Sequence, residues 1–406
     1  MGKNTDIASG ASLYEVRVQG HLDDRWSDWI DDIEIITEGD GTTKLVARIP
    51  DQPALHGILA RLRDLGIPVI SVCCVDENGD RNALMRAVVQ DRYGEPDVLQ
   101  VRDIERPEAG EHEVLVRVHA AGVDRGVWHL VTGQPYLVRA MGFGLRRPKQ
   151  ATPGMDLAGE VAAVGTAVTR FQPGDHVYGV ATGSFAEYVV AREDQLAMRP
   201  DGLNNTQAAA VPTSAATARM AVSDVARVQA GERVLVIGAS GGVGTFAVQI
   251  AKAHGAHVTG VASTGKLDLV RSLGADDVIN YTTEDIADRV PFDVILDIAG
   301  NRSLNHLRRA LTERGCLVIV GGEGGGKWFG GIDRQLRAAV LSWFVPQTLR
   351  FFISQVHEQD LAALTEIIDS GAATPVIDRT FALDEAADAI RYLRAGKARG
   401  KVVITP

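Results

Sequence analysis

The chain has 406 residues, enough for two or three domains at roughly 150 residues each, and its hydrophobic content of 45% supports ordinary packed cores. Its 42 Lys+Arg against 52 Asp+Glu leave a net charge of −10, which argues against electrostatic binding to nucleic acid or an anionic membrane face. Three cysteines, Cys73, Cys74 and Cys316, are too few for a disulfide framework or a four-thiolate zinc lobe, so a reducing compartment, the cytoplasm, is expected.

The opening MGKNTDIASGASLYEV has no apolar leader, and no secretory signal is expected. Residues 1–80 carry 7 Lys+Arg against 15 Asp+Glu, nearly all of the net charge, and look like a distinct module. Alternating apolar positions over residues 13–18 predict a strand. Residues 33–36 and 45–49, joined through Glu38-Gly39-Asp40-Gly41, predict a hairpin. Leu55, Ile58, Leu59, Leu62 and Leu65 at helical spacing, ended by Gly66, predict a helix before a strand at 69–72. With a short helix over Arg25-Trp26-Ser27-Asp28-Trp29, the order is βαββαβ, a ferredoxin-like split unit, and residues 76–80 form a linker. Trp26, Trp29 and the acidic stretch 23–40 mark either a partner surface or core packing.

From Leu84 the texture changes to short strands and glycine turns, which predicts a β-rich domain over 84–205. From about Asn205, near-continuous apolar runs alternate with helical patterns: Val234–Ile237, His257–Val261, Asp293–Asp297 and Cys316–Val320. Such runs are what a parallel sheet covered on both faces requires. The stretch from Ala338 to Val356 is broken by Pro346 and Arg350; it is too interrupted to span a membrane and is predicted to be buried helix and loop.

The strand Val234–Ile237 runs into Gly238-Ala239-Ser240-Gly241-Gly242-Val243-Gly244 and then a helix with Phe246, Ala247, Ile250 and Ala251 on one face. Strand, glycine turn and helix in this order point backbone N–H groups at a pyrophosphate, which makes Ser240, Gly241, Gly242, Val243 and Gly244 the predicted dinucleotide loop. At the end of the next strand, Val261-Ala262-Ser263-Thr264-Gly265-Lys266 lacks the carboxylate that an NAD site places on the ribose hydroxyls. Ser263 and Lys266 suit a 2′-phosphate, so NADPH is the expected cofactor; the plainer alternative is that they cap and solvate the next helix. Tyr281 is placed to cover the adenosine.

These motifs, together with Pro153-Gly154-Met155-Asp156-Leu157-Ala158-Gly159-Glu160-Val161, Phe171-Gln172-Pro173-Gly174-Asp175-His176-Val177 and the closing Gly400-Lys401-Val402-Val403-Ile404, resemble the medium-chain dehydrogenase/reductase superfamily, in its zinc-free quinone oxidoreductase branch. The resemblance spans about 85–406. It implies an α/β fold with a GroES-like domain over 84–205 and 349–406 and a Rossmann doubly wound parallel sheet over 206–348, with the nicotinamide in the cleft between them. The positions that carry zinc ligands in the metal-dependent branch look like Asp124, Met155 and Thr213 here. Without a thiolate or an imidazole, that set is a poor tetrahedral zinc site.

The resemblance further implies hydride transfer from NADPH to an acceptor that is already electrophilic, a quinone or an activated enone. The loop Asp124–Tyr136 lies over the nicotinamide side by resemblance, which makes Asp124, His129 and Tyr136 the candidate catalytic residues. Asp124 orients the ribose or His129, or caps a turn; His129 protonates a developing oxyanion, or is structural; Tyr136 donates a hydrogen bond, or lies in a surface loop. Thr217 and the second glycine loop, with Gly321 and Gly322, are placed at the nicotinamide end, and Lys401 reaches the pyrophosphate from the returning segment, with a plain surface charge as the alternative. A carbonyl reductase using His129 in place of a metal, and a non-catalytic NADPH-binding sensor or scaffold, are the competing readings. A homo-oligomer is expected by resemblance, through the N-terminal module or the Rossmann edge.

Overall fold

The computed structural model describes residues 12–22, 33–39, 41–75, 84–322, 326 and 328–406. Near the N-terminus, β1 (Ser12–Gln19), β2 (Glu34–Thr37), β3 (Thr42–Ile49) and β4 (Val69–Val75) form an antiparallel sheet in the order β4-β1-β3-β2. That is the strand order of a split βαββαβ unit. Asp51 caps the helix Gln52–Asp64 by accepting from the Ala54 N–H, and the helix buries Leu55 and Leu62 against Tyr14, Val16, Val18 and Leu45 of the sheet. The expected helix over 25–29, the tryptophans 26 and 29, and the linker 76–80 lie outside the described residues.

Further along come β5 (Leu84–Val89) and β6 (Gln100–Glu105), a two-stranded ribbon, then β7 (Glu113–Val123), β8 (Asp156–Val164), β9 (His176–Val180), β10 (Tyr188–Arg192) and β11 (Leu196–Met198). The module that the charge pattern sets apart is joined to this sheet. Val72 and Cys73 of β4 pair with Val164 and Ala163 of β8, and the two sheets run on as one of eleven strands. A strand at a sheet edge presents unpaired N–H and C=O groups, and here β8 takes some of them up.

The parallel sheet consists of β12 (Arg233–Ile237), β13 (His257–Ala262), β14 (Asp277–Asn280), β15 (Phe292–Asp297), β16 (Leu311–Ile319) and β17 (Thr348–Phe351), in the order β14-β13-β12-β15-β16-β17. Successive side chains point to opposite faces: Val234 and Val236 enter one core with Val258, Leu235 and Ile237 the other with Ile295. The strand order reverses beside β12, and the carboxyl ends of β12 and β15 border the crevice where open α/β sheets bind ligands.

One expectation needs correction here. The stretch 338–356 is buried only in part: Ala338 and Leu349 enter the core, while Val340, Trp343 and Phe344, at the end of the helix Ile332–Leu341 and before the edge strand β17, are exposed, Trp343 at 88%. Its hydrophobicity serves both a core face and an uncovered one. Finally the chain returns to the first sheet through β18 (Ile377–Ala382) and β19 (Lys401–Thr405); β19 pairs antiparallel with β7.

Candidate functional site

Three neighbouring strands bring charge to one point. Asp124 follows β7, Asp156 opens β8 and Lys401 opens β19, and the registers Gly122↔Asp156 and Val123↔Val402 align these positions at one end of the sheet. Gly122 makes the room, since a Cβ there would stand 2.9 Å from that of Asp156 and 2.4 Å from the Ala209 carbonyl oxygen. Lys401 Nζ donates to Asp124 Oδ1 at 2.6 Å, to Asp156 Oδ2 at 3.2 Å and to Ser214 Oγ at 3.1 Å. From the helix Pro212–Arg219, Ser214 Oγ donates to Asp124 Oδ1 at 2.9 Å, and Thr213 gives both its N–H (3.1 Å) and its hydroxyl (2.5 Å) to Asp156 Oδ1.

Burial and their mutual charges shift all three groups. Burial works against the Lys401 ammonium, but the Asp124 and Asp156 charges outweigh it and raise its pKa. Burial works against the Asp124 carboxylate too; the Lys401 charge and hydrogen bonds from Asp156, Lys401 and Ser214 hold it below the ordinary carboxylate range. Asp156 is pushed well above that range, by burial first and by the Asp124 charge second.

This arrangement corrects two expectations. Lys401 does not extend its ammonium to the glycine loop: its side chain is 1% exposed, and only its aliphatic part lies beside that loop, where a Cβ on Gly242 would meet Lys401 Cδ at 2.9 Å. Its backbone does join the two regions, through the Gly400 N–H to Ser240 O bond at 2.9 Å. Asp124 stands at the N-cap position of the helix Arg125–Thr132 but makes no capping bond, because its carboxylate is turned to Lys401 and Ser214. Its side-chain hydrogen bonds go to Lys401 and Ser214, and none of them to His129.

His129 Nδ1 donates to the Gln134 carbonyl at 2.6 Å, and its ring meets Trp128 edge-on. Tyr136 packs edge-to-face on Trp328, with ring centroids 5.3 Å apart, and the Arg139 guanidinium stands over the Tyr136 ring, 4.7 Å from its centroid. Trp328 belongs to the second glycine loop, which the Leu137 N–H to Trp328 O bond ties to the same wall; residues 323–325 and 327 of that loop lie outside the described residues. Gly321 is packed so closely that a Cβ would stand 2.0 Å from the Ile298 carbonyl oxygen, and Gly322 faces Gly331.

In the candidate dinucleotide loop, Gly241 stands at the N-cap of the helix Gly242–Ala253 in extended conformation, and Ser240 is buried. The loop turns at Gly238, with φ +88°, and a Cβ on Gly244 would stand 2.1 Å from the Gly238 carbonyl oxygen. The free N–H groups of the helix start are a fit for a pyrophosphate. Ser263 makes no capping bond, so the plain helix-cap alternative is not what the side chain does. The Lys266 ammonium donates to the carbonyls of Gly396 (2.7 Å) and Ala398 (2.6 Å), and its pKa is lowered chiefly by burial. Tyr281 is half exposed beside this strand end, and Thr217 Oγ1 donates to the Thr213 carbonyl one turn back.

Sequence reasoning passed over Asp156 and Ser214. The available signal was a charge opening an otherwise apolar strand, Asp156 before Leu157-Ala158 and Lys401 before Val402-Val403-Ile404. Asp297 is a similar case: fully buried at the end of β15, it accepts from the Gly300 N–H at 3.2 Å and pairs with Arg334.

Residues 110–201 match the alcohol dehydrogenase GroES-like domain family, residues 273–404 the zinc-binding dehydrogenase family, and residues 13–73 a domain of unknown function, DUF8691. The mouse (Mus musculus) NAD(P)H oxidoreductase RTN4IP1, mitochondrial, is 33% identical over 365 residues, covering 80% of this chain and 90% of that protein. Mouse quinone oxidoreductase is 32% identical over 336 residues, covering 79% and 98%. Among solved structures, the quinone oxidoreductase from Coxiella burnetii superposes with a TM-score of 0.70 at 29% identity, covering 80% of this chain and 99% of that one. Mycobacterial Rv1454c complexed with NADPH does so at 0.68 and 26%, covering 79% and 100%. With a GroES-like sheet, a parallel nucleotide-type sheet and these relatives, the chain belongs to the medium-chain dehydrogenase/reductase superfamily and is an NAD(P)H-type oxidoreductase of its quinone oxidoreductase-like group.

Proposed function

We propose that this protein is a zinc-independent reductase that transfers hydride from NADPH to a quinone or an activated enone. The observation that carries this reading is the donor set at the family's metal position. Met155 offers a thioether, the Thr213 hydroxyl is spent on Asp156, and the Asp124 carboxylate already holds an internal cation in Lys401. Such a set is a poor match for zinc, whose sites use thiolate and imidazole. NADPH, when bound, supplies the hydride; the protein supplies position and hydrogen-bond donors to an acceptor that carries its own polarisation.

In this reading the glycine loop Ser240–Gly244 holds the pyrophosphate, Ser263 and Lys266 face the 2′-phosphate, Tyr281 covers the adenine, and Thr217, Gly321 and Gly322 border the nicotinamide. His129 and Tyr136 wall the acceptor side. The functional units are 1–80, 84–205 with 349–406, and 206–348, and the compartment is cytoplasmic, a choice supported by the sparse cysteines. A homo-oligomer is part of the proposal, supported by the uncovered edge of β17 beside exposed Trp343 and Phe344.

Oxidation of NADPH and NADH by chelator-treated protein, against a panel of quinones, enones and simple aldehydes, tests this directly. Turnover of quinones or enones with NADPH preferred is the expected result. Tight NADPH binding with no turnover replaces it with the sensor or scaffold reading.

A further inference from the structure

Arg139 spends its guanidinium on two carbonyls and two rings. Its Nε donates to the Gly133 carbonyl at 2.9 Å and its Nη2 to the Thr132 carbonyl at 3.2 Å, at the open carbonyl end of the helix Arg125–Thr132. Its Cζ also stands 4.4 Å from the centroid of the Tyr93 ring and 4.7 Å from that of Tyr136. A planar guanidinium bonds in its plane while its faces stack on rings; a lysine ammonium has no such plane. The fit is close: Gly133 has φ +60°, and a Cβ there would stand 2.6 Å from both Arg139 Nε and Tyr93 Cδ1. Tyr93 is fixed in turn, since its hydroxyl lies 2.8 Å from the carbonyl oxygens of Phe143 and Gly144.

From Arg139 the contacts run on to the second glycine loop. Tyr136 meets Trp328 edge-on, the Leu137 N–H donates to Trp328 O at 3.2 Å, and a Cβ on Gly330 would stand 2.9 Å from Pro135 Cγ. The same loop begins at Gly321, whose N–H donates to the Asp297 carbonyl at the end of β15. One end of the loop is therefore set by the parallel sheet, and the other by the segment that Arg139 holds.

We propose that Arg139 is a positioning residue: by fixing Tyr136, and through it Trp328, it sets the acceptor wall at a defined distance from the nicotinamide end of the second glycine loop. This rests on the reductase reading above. Arg139 makes and breaks no bond in the reaction. Hydride transfer needs donor and acceptor atoms in near contact, so a wall displaced by about 1 Å costs about 100-fold in rate. Cofactor affinity is spared, because that reading places the grip on the pyrophosphate at Ser240–Gly244.

The test is a single-turnover experiment in which NADPH-loaded protein meets saturating quinone and the loss of NADPH absorbance is followed. The rate constant so obtained does not depend on how much of the protein is folded, so a merely structural loss leaves it unmoved. Arg139→Ala and Arg139→Lys should lower it about 100-fold with NADPH affinity unchanged. Added guanidinium ion should restore the rate to Arg139→Ala and not to Arg139→Lys. Trp328→Ala should lower it too, and the double variant Arg139→Ala/Trp328→Ala should lose little more than either alone, because both break one chain of contacts. A wild-type rate in Arg139→Ala, or single losses that multiply in full in the double variant, overturns the positioning role and leaves the reductase reading in place. Equal losses of rate and NADPH affinity do the same. A wild type that binds NADPH and reduces no electrophile removes the reductase reading and the positioning role with it. Should Arg139→Ala not fold, Trp328→Ala decides, since that side chain is 69% exposed and an unchanged rate there overturns the proposal.

Discussion

Lys401 Nζ and Asp156 Oδ2 lie 3.2 Å apart although 245 positions separate them in the chain, and both are almost completely buried. This contact fastens the closing strand to the start of β8 at the same point where Gly400 bonds the dinucleotide loop. The start of β8 and the glycine loop after β12 therefore share one support.

Lys401→Met removes the only cation placed on Asp124 among the described residues and leaves a buried carboxylate uncompensated. A loss of about 3–5 kcal/mol is expected in urea unfolding, as for one partner removed from a buried pair. The double variant Asp124→Asn/Lys401→Met should recover part of it, because no unpaired charge then remains. A single-variant loss within the range of ordinary surface changes, under about 0.5 kcal/mol, contradicts this account.

The pH dependence of stability follows from the raised Asp156 pKa. A group whose folded pKa is raised binds its proton more tightly when folded, so its contribution is complete below the ordinary carboxylate value of about 3.9 and drains as pH rises through the folded pKa. Asp124, held low, acts in the opposite sense: its contribution is present above the ordinary value and is lost as pH falls through its folded pKa. Lys401, raised, loses its contribution only at strongly alkaline pH. Compared with wild type, Asp156→Asn should show a smaller decline in urea midpoint from about pH 4 upward; identical profiles count against a proton on Asp156.

Two glycines of the cofactor loop should respond differently to one methyl group. On Gly244 it would stand 2.1 Å from a backbone carbonyl, whereas on Gly241 the nearest atom is 3.5 Å away. Gly244→Ala should cost roughly 1–3 kcal/mol, and Gly241→Ala well under that, because backbone at one position has nowhere to move. Thermal melts of the cofactor-free proteins separate the two, and equal shifts speak against the packing described.

Cofactor choice can be tested at the end of β13. Ser263→Asp with Lys266→Ala places a carboxylate where NAD sites carry one and removes the ammonium. The ratio of NADPH to NADH affinity should fall by at least about tenfold, some 1.4 kcal/mol. Lys266→Ala also frees the carbonyls of Gly396 and Ala398, so a melt of the variant is needed beside the titrations. An unchanged ratio removes Ser263 and Lys266 from the 2′-phosphate.

Much of this molecule is legible from local pattern. The apolar runs of β12, β13, β15 and β16 mark a parallel sheet because strands buried on both faces must be apolar throughout. Gly238 and Gly244 mark a strand–helix turn, Gly238 because its φ is +88° and Gly244 because a Cβ there would collide with the Gly238 carbonyl oxygen. The spacing of Leu55 and Leu62 likewise marks the face the helix Gln52–Asp64 buries. Each is a relation between residues close in sequence, where steric fit and periodicity act directly. By contrast, the partners of a charge lie wherever the chain returns. Lys401 reads as a surface or pyrophosphate residue until β19 is laid beside β7, and Asp156 reads as a strand-opening acid until Asp124 is set against it. The exposure of Trp343 and Phe344 and the pairing of β4 with β8 are hidden for the same reason. Hydrophobic period and glycine sterics are local and survive in the sequence by itself; burial, desolvation and charge pairing depend on what lies across the fold, and only the tertiary structure decides them.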